Sequence, residues 1–204
     1  MKKIHHPFAL LTILACCIHA GAEGSETIAT RAGQPGAKVT ISVEPGNGWL
    51  HTMRLAGIFP LKNCPQIAVW VEDVGGKFLE NLYVTRRAAV QDWRTKDEKV
   101  RRPESLPLWS HRRGVKESDG FYLPTMKHPL PDAVTAPTPK AAFTLSTVLP
   151  QSAGPVTVYV EVNHSFDYND RFPKSAKQGG PGWSGTSGQP AAVYSAIEIG
   201  RAHV

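Results

Sequence analysis

The densest chemistry in the chain lies between Arg86 and Lys116. Ten Lys or Arg residues (Arg86, Arg87, Arg94, Lys96, Lys99, Arg101, Arg102, Arg112, Arg113 and Lys116) face four acids there (Asp92, Asp97, Glu98 and Glu104). Clustered guanidinium groups form charge-assisted, often bidentate hydrogen bonds to phosphate or carboxylate. The stretch is therefore a candidate anion site, with the adjacent pair Arg112 and Arg113 as its centre. The plainer reading is a solvated charged face. Nothing in the stretch matches a nucleic-acid-binding motif, so no nucleic acid partner is expected.

A second candidate is the run His128–Phe143. Asp132, Thr135 and Thr138 recur in it at three-residue intervals, with Pro129, Pro131, Pro137 and Pro139 around and between them. Proline fixes φ and lacks an N–H, so the run is neither a helix nor a central strand. It reads as an exposed, stiff loop presenting Thr135 and Thr138 outward, or as a turn leading into the strand that begins near Ala142.

Other constellations are weaker. Asp167, Asn169 and Asp170 put oxygen ligands within four residues, but without the spacing, central glycine or distal Glu of an EF-hand loop. An Asx-rich turn after a strand is the reading preferred for them. His51, His111, His128, His164 and His203 show no helical metal-ligand spacing. There is no Gly-x-Ser-x-Gly turn, no phosphate-cradling Gly-rich loop before a helix, and no histidine near Cys64. The chain reads as non-catalytic.

The elements that must hold these residues are strands. Val39, Ile41 and Val43 alternate with Thr40 and Ser42. Residues 67–73 and 77–84 form a hairpin around Val74-Gly75-Gly76, because glycine supplies the positive φ of a tight connection. Trp70 on the first of these strands, and Tyr159 on another, are expected in the core. Residues 142–149, 156–163 and 192–199 are further strands, and 86–99 is a short helix. Residues 103–113 read as irregular, anchored by Trp109. The expected fold is a single all-β domain over 37–204, an immunoglobulin-like or Greek-key β-sandwich with long irregular loops and one short helix.

Residues 1–22 read as a signal peptide: a basic start, an apolar run from Phe8 to Ile18, and Ala20-Gly21-Ala22 before the cut. The competing reading is a lipoprotein acylated at Cys16. Both export the chain, and periplasmic localisation is expected. Cleavage removes Lys2 and Lys3, lowering the net charge from +6 to +4, and leaves Cys64 as the only thiol. A lone thiol forms no intramolecular disulfide, and a buried inert role is expected for it. Residues 23–36 read as a flexible leader. No later segment is apolar for long enough to span a bilayer.

Five ordered motifs carry a resemblance. They are Pro65–Asp73, Leu106–His111, Asp132–Thr135 with Thr138-Pro139-Lys140, Glu161–Asn169, and Gly188-Gln189-Pro190. Together they resemble a family of predicted periplasmic proteins (domain of unknown function 2271) over residues 37–199. The resemblance implies an accessory or binding module in a flavin-linked envelope electron-transfer system, with an envelope partner such as a membrane redox protein. Flavin attachment in such systems uses a motif similar to Asp-x-x-Thr-Gly-Ala-Thr, with FMN on the last threonine. By that resemblance Asp132, Thr135 and Thr138 match, while Ala136 and Pro137 replace the small pair. The leading expectation is a module without a cofactor. The alternatives are an electron carrier with covalent FMN on Thr138, and a structural protein-interaction module.

Overall fold

The computed structural model describes residues 26–55, 58–93, 100–151 and 154–198. The signal peptide, the cleavage site, the acylation reading at Cys16, residues 94–99 of the basic stretch and His203 all lie outside the described residues.

The elements run β1 (Glu26–Ala29), β2 (Ala37–Val43), β3 (His51–Leu55), β4 (Phe59–Asn63), β5 (Gln66–Asp73), β6 (Phe78–Thr85), α1 (Arg86–Val90) and α2 (Pro107–Arg113). A 3₁₀ turn (Asp132–Val134) then leads to β7 (Thr135–Ala136), β8 (Phe143–Leu149), β9 (Val156–Asn163) and β10 (Ala192–Glu198). This is an all-β fold of open sheets with two helices among the described residues. One sheet has the order β10-β9-β5-β6-β7, a second β1-β8-β2, and β3 and β4 form a separate hairpin.

β5 organises the rest. Its sequence, Gln-Ile-Ala-Val-Trp-Val-Glu-Asp, is buried from Gln66 to Glu72 and half-buried at Asp73, and side chains along a strand alternate between faces. Ile67, Val69 and Val71 point to one face and pack with Ile41, Phe143, Leu145 and Val158 in the layer shared with the three-stranded sheet. Ala68 and Trp70 point to the other face, against Ala88, Ala89, Leu106, Trp109, Leu123 and Leu130. A strand covered on both sides reads as a continuous apolar run rather than an alternating one. Full burial of a side chain such as Val69 or Leu145 contributes about 1.5–3 kcal/mol. Trp70 is fully buried, and Tyr159, half-buried, stacks on it with ring centroids 5.1 Å apart.

Three expectations need correction. Residues 26–29 are not part of a flexible leader but a strand, paired in parallel with β8 (Ile28 opposite Leu145). Ile28 is buried in the core, Thr30 Oγ1 donates to Leu82 O at 2.7 Å, and Arg31 pairs with Glu80 at 3.0 Å. The segment is held by partners distant in sequence, which local composition does not reveal. Second, the helix expected over 86–99 closes at Val90, because Gln91 turns left-handed at φ 57° and caps it. Third, the stretch taken as irregular contains α2, with Pro107 in its first turn and left-handed Gly114 at its end. Trp109 is the fully buried anchor expected.

Candidate functional site

At one end of β6 the buried Thr85 joins strand to helix. Its Oγ1 donates to Gln66 Oε1 at 2.8 Å and accepts from the Ile67 amide at 3.2 Å, so the end of the sheet is fixed. α1 then buries Ala88 and Ala89, which turns Arg86 and Arg87 outward. After the helix, Gln91 bonds Ala88 O through its side-chain amide and accepts from Trp93 Nε1 at 3.0 Å. Trp93 is thereby held as a nearly buried wall.

Arg102 lies against that wall. Its guanidinium sits 4.2 Å from the centre of the Trp93 ring and 5.6 Å from that of Phe166. The segment behind it is rigid. Glu104 Oε1 accepts from the Thr186 amide and hydroxyl, both at 2.7 Å, and Glu104 O accepts from Asn163 Nδ2 and Ser187 Oγ. Gly185 approaches Glu104 so closely, with φ +59°, that a Cβ there would collide with the carboxylate. Phe166 itself has φ 66°, which for a bulky L-residue costs of order 1–3 kcal/mol. Its amide bond to Thr186 O at 2.8 Å helps hold it there.

The third wall comes from the proline loop. Thr135 and Ala136 pair in parallel with Val84 and Thr85, making β7 an edge strand. Beyond it Tyr83 Oη donates to Pro137 O at 3.0 Å and Trp49 Nε1 to Pro139 O at 3.3 Å. Thr138, between these anchors, is half-buried.

These walls border a cavity of about 650 Å³ lined by Lys62, Arg86, Arg87, Arg102 and Lys140, with Asp92 as the one acid among the described residues. Trp93, Phe166, Met53, Leu61 and Pro137 supply apolar surface, and Cys64, Gln66 and Thr138 also face it. Arg86 bonds Asp92 at 3.1 Å and Lys62 donates to Thr52 Oγ1 at 2.8 Å. The side chains of Arg87 and Lys140 have no hydrogen-bond or ion-pair partner among the described residues, and Arg102 Nε is buried without one. Desolvation lowers the pKa of Arg102, Glu104 opposes that shift, and neighbouring Arg87 adds to it.

The sequence candidates separate here. Thr138 lines the cavity; Asp132 and Thr135 do not, and Thr135 Oγ1 instead reaches back to Asp132 O at 3.4 Å. Arg112 and Arg113 also stand outside it. Arg112 pairs with the buried carboxylate of Glu72 at 3.4 Å, and Arg113 donates to Tyr122 O at 2.7 Å while lying over the Trp109 ring. Both guanidinium groups are engaged within the fold, and the cations that line the cavity are other ones, Arg87, Arg102 and Lys140 among them. Cys64 is half-buried on the cavity wall rather than sunk in the core. Burial raises its pKa and Lys140 opposes the shift.

The chain matches no family model, no curated protein and no solved structure.

The remaining polar candidates resolve into structure. Asn169 Oδ1 accepts from the Arg171 and Phe172 amides, and Asp167 accepts from Gln189, as an Asx turn and a loop clamp require. His51 and His164 meet edge to face at 6.3 Å, and the described residues hold no group of three or more His, Cys, Asp or Glu placed for a metal. A site missed by sequence reading is Glu161. Fully buried on β9, it accepts the Leu108 and Trp109 amides at 3.1 and 2.7 Å, capping α2 from another element. Burial raises its pKa to about 6 despite those two bonds.

Proposed function

We propose that this protein is an exported accessory module of the cell envelope whose basic cavity binds an anionic ligand. The observation that carries the reading is the convergence, among the described residues, of five cations and one acid on a single cavity of about 650 Å³. Like charges that outnumber their internal partners raise the free energy of the empty site, and an anion relieves that repulsion. No catalytic step is required of the residues present.

The test is calorimetric titration of the exported protein with phosphate and citrate at low and moderate ionic strength. Binding should weaken as salt rises, and the double variant Arg87→Gln/Lys140→Gln should weaken it at least tenfold. Absence of binding to either anion sinks the reading and leaves the structural interaction module. The finer fold assignment belongs with this proposal: two facing sheets and a shared core suit a Greek-key or immunoglobulin-like β-sandwich. So does periplasmic placement, which rests on the leader sequence.

A second reading, the electron carrier with covalent FMN, is favoured by one observation: Thr138 faces the same cationic cavity. Arg87, Arg102 and Lys140 would hold the phosphate there, and Trp93 and Phe166 would flank the ring. The bound flavin would supply one- and two-electron chemistry. Against it, the exposed Pro137 stiffens the chain just before the acceptor. Co-expression with an FMN transferase, followed by intact-mass measurement and a visible spectrum, decides it. A yellow protein gaining the flavin mass supports the carrier, with an envelope redox protein as partner. A bare polypeptide mass removes it.

A further inference from the structure

We infer that Arg102 is the specificity-determining residue of this cavity and that its ligand is an organic phosphomonoester, held non-covalently by its phosphate on Arg102, Arg87 and Lys140. The inference rests on the anion-binding reading above and narrows it.

The charge balance comes first. Asp92 compensates Arg86 at 3.1 Å and Glu104 acts on Arg102, while Lys62, Arg87 and Lys140 have no ion-pair partner among the described residues. A single carboxylate brings one negative charge. A phosphomonoester brings about 1.5 to 2 charges at neutral pH and three strong acceptor oxygens. The cationic wall therefore matches a phosphate better than a carboxylate.

Size and surface come second. Inorganic phosphate would fill only a small part of about 650 Å³, and the rest of the lining includes Trp93, Phe166, Met53 and Leu61. Such a cavity suits a ligand with an apolar or aromatic body attached to its anionic head.

Arg102 itself is the third element. Its guanidinium is clamped against Trp93 at 4.2 Å and near Phe166 at 5.6 Å, with Nε buried and unpartnered. The Glu104 bonds to Thr186, Asn163 and Ser187 hold the adjoining backbone. A planar fork stacked on an aromatic ring is already oriented for two parallel bonds to one phosphate, so less side-chain entropy is lost on binding. Lysine keeps the charge but has neither the plane nor the fork.

The experiment titrates the mature chain with four probes: adenosine monophosphate, adenosine, inorganic phosphate and citrate. Adenosine monophosphate should bind at least tenfold more tightly than inorganic phosphate, and adenosine alone should not bind measurably. Arg102→Lys should lose at least tenfold in affinity for the monophosphate while its salt dependence is retained, a pattern that loss of charge alone would not give. Lys140→Gln, at an exposed position, provides a second variant should Arg102→Lys fail to fold, and it should weaken both the monophosphate and inorganic phosphate. If citrate and phosphate bind as well as the monophosphate, or if Arg102→Lys binds like the parent, this inference falls while the general anion site stands. If no probe binds, both fall.

Discussion

The two faces of the five-stranded sheet are built differently. Toward the three-stranded sheet the interior is almost wholly aliphatic and aromatic, and the buried threonines at its margin, Thr30 and Thr147, bond each other at 2.9 Å. Toward the helices the interior is as well buried, but it is threaded with polar bonds. Trp70 Nε1 donates to Glu72 at 2.8 Å, Trp109 Nε1 to Asn81 at 2.8 Å, and Glu161 receives two amides of α2. The first face is held by area and shape, which tolerate many apolar sequences. The second is held by specific pairs whose loss leaves a buried polar atom unsatisfied. The second face also carries the elements that lead to the cavity, α1 and the segment before α2. Position there is fixed by bonds rather than by bulk.

Substitutions on the two faces should therefore fail in different ways. The largest effect is expected from Trp70→Ala. It opens a cavity, removes the stacking partner of Tyr159 and strips Glu72 Oε1 of its donor. Denaturant unfolding should give a loss of about 3–5 kcal/mol. A loss below about 1 kcal/mol would mean that the helical face contributes little to stability. Leu145→Ala on the aliphatic face should cost a comparable amount, about 2–5 kcal/mol. Its cost should be recovered largely by refilling volume with Met, which would not rescue Trp70→Ala.

A smaller effect, with a sign set by titration, is expected at Glu161. Its folded pKa is raised from 4.5 to about 6, so its contribution to stability is fully present below pH 4.5 and is lost as pH rises through 6. That loss is about 2 kcal/mol at about 1.4 kcal/mol per unit. Stability of the parent minus that of Glu161→Gln should fall by this amount between pH 4 and 7. A difference independent of pH would show that the carboxyl is not desolvated as described.

Trp109→Phe keeps most of the ring volume but removes the donor to Asn81 Oδ1, a loss of about 1–3 kcal/mol on unfolding. The smallest effect belongs to the cavity: Arg87→Gln, exposed and without a partner, should change the unfolding free energy by no more than about 0.5 kcal/mol. A clear gain in stability there would show that like-charge repulsion in the empty cavity is substantial.

The strands could be read from the residues because strand periodicity is local. Alternation in 37–43 and 156–163, and the Gly75-Gly76 connection, contain their own evidence, and β9 begins and ends where the pattern does. Trp70, expected in the core from its place on the first hairpin strand, is fully buried on β5. α2 was missed although Pro107 and Gly114 are ordinary start and stop signals. A seven-residue helix is marginal alone, and the group capping it, Glu161, is fifty-two residues away from the amide it bonds. β1 escaped for the same reason, since a four-residue strand with one buried side chain has no pattern of its own.

By itself the sequence determined the class of fold, the central place of Trp70, and the presence of both a basic stretch and a proline-stiffened loop bearing Thr138. Each follows from properties of neighbouring residues: hydrophobic period, proline geometry and charge density. Only the tertiary structure decided which basic residues remain available. It bound Arg112 to Glu72 and Arg113 to Tyr122 O, and left Arg87, Arg102 and Lys140 around a cavity with Thr138. Charge is written in the residue, but whether that charge is already neutralised depends on partners that only chain folding brings within a few ångströms.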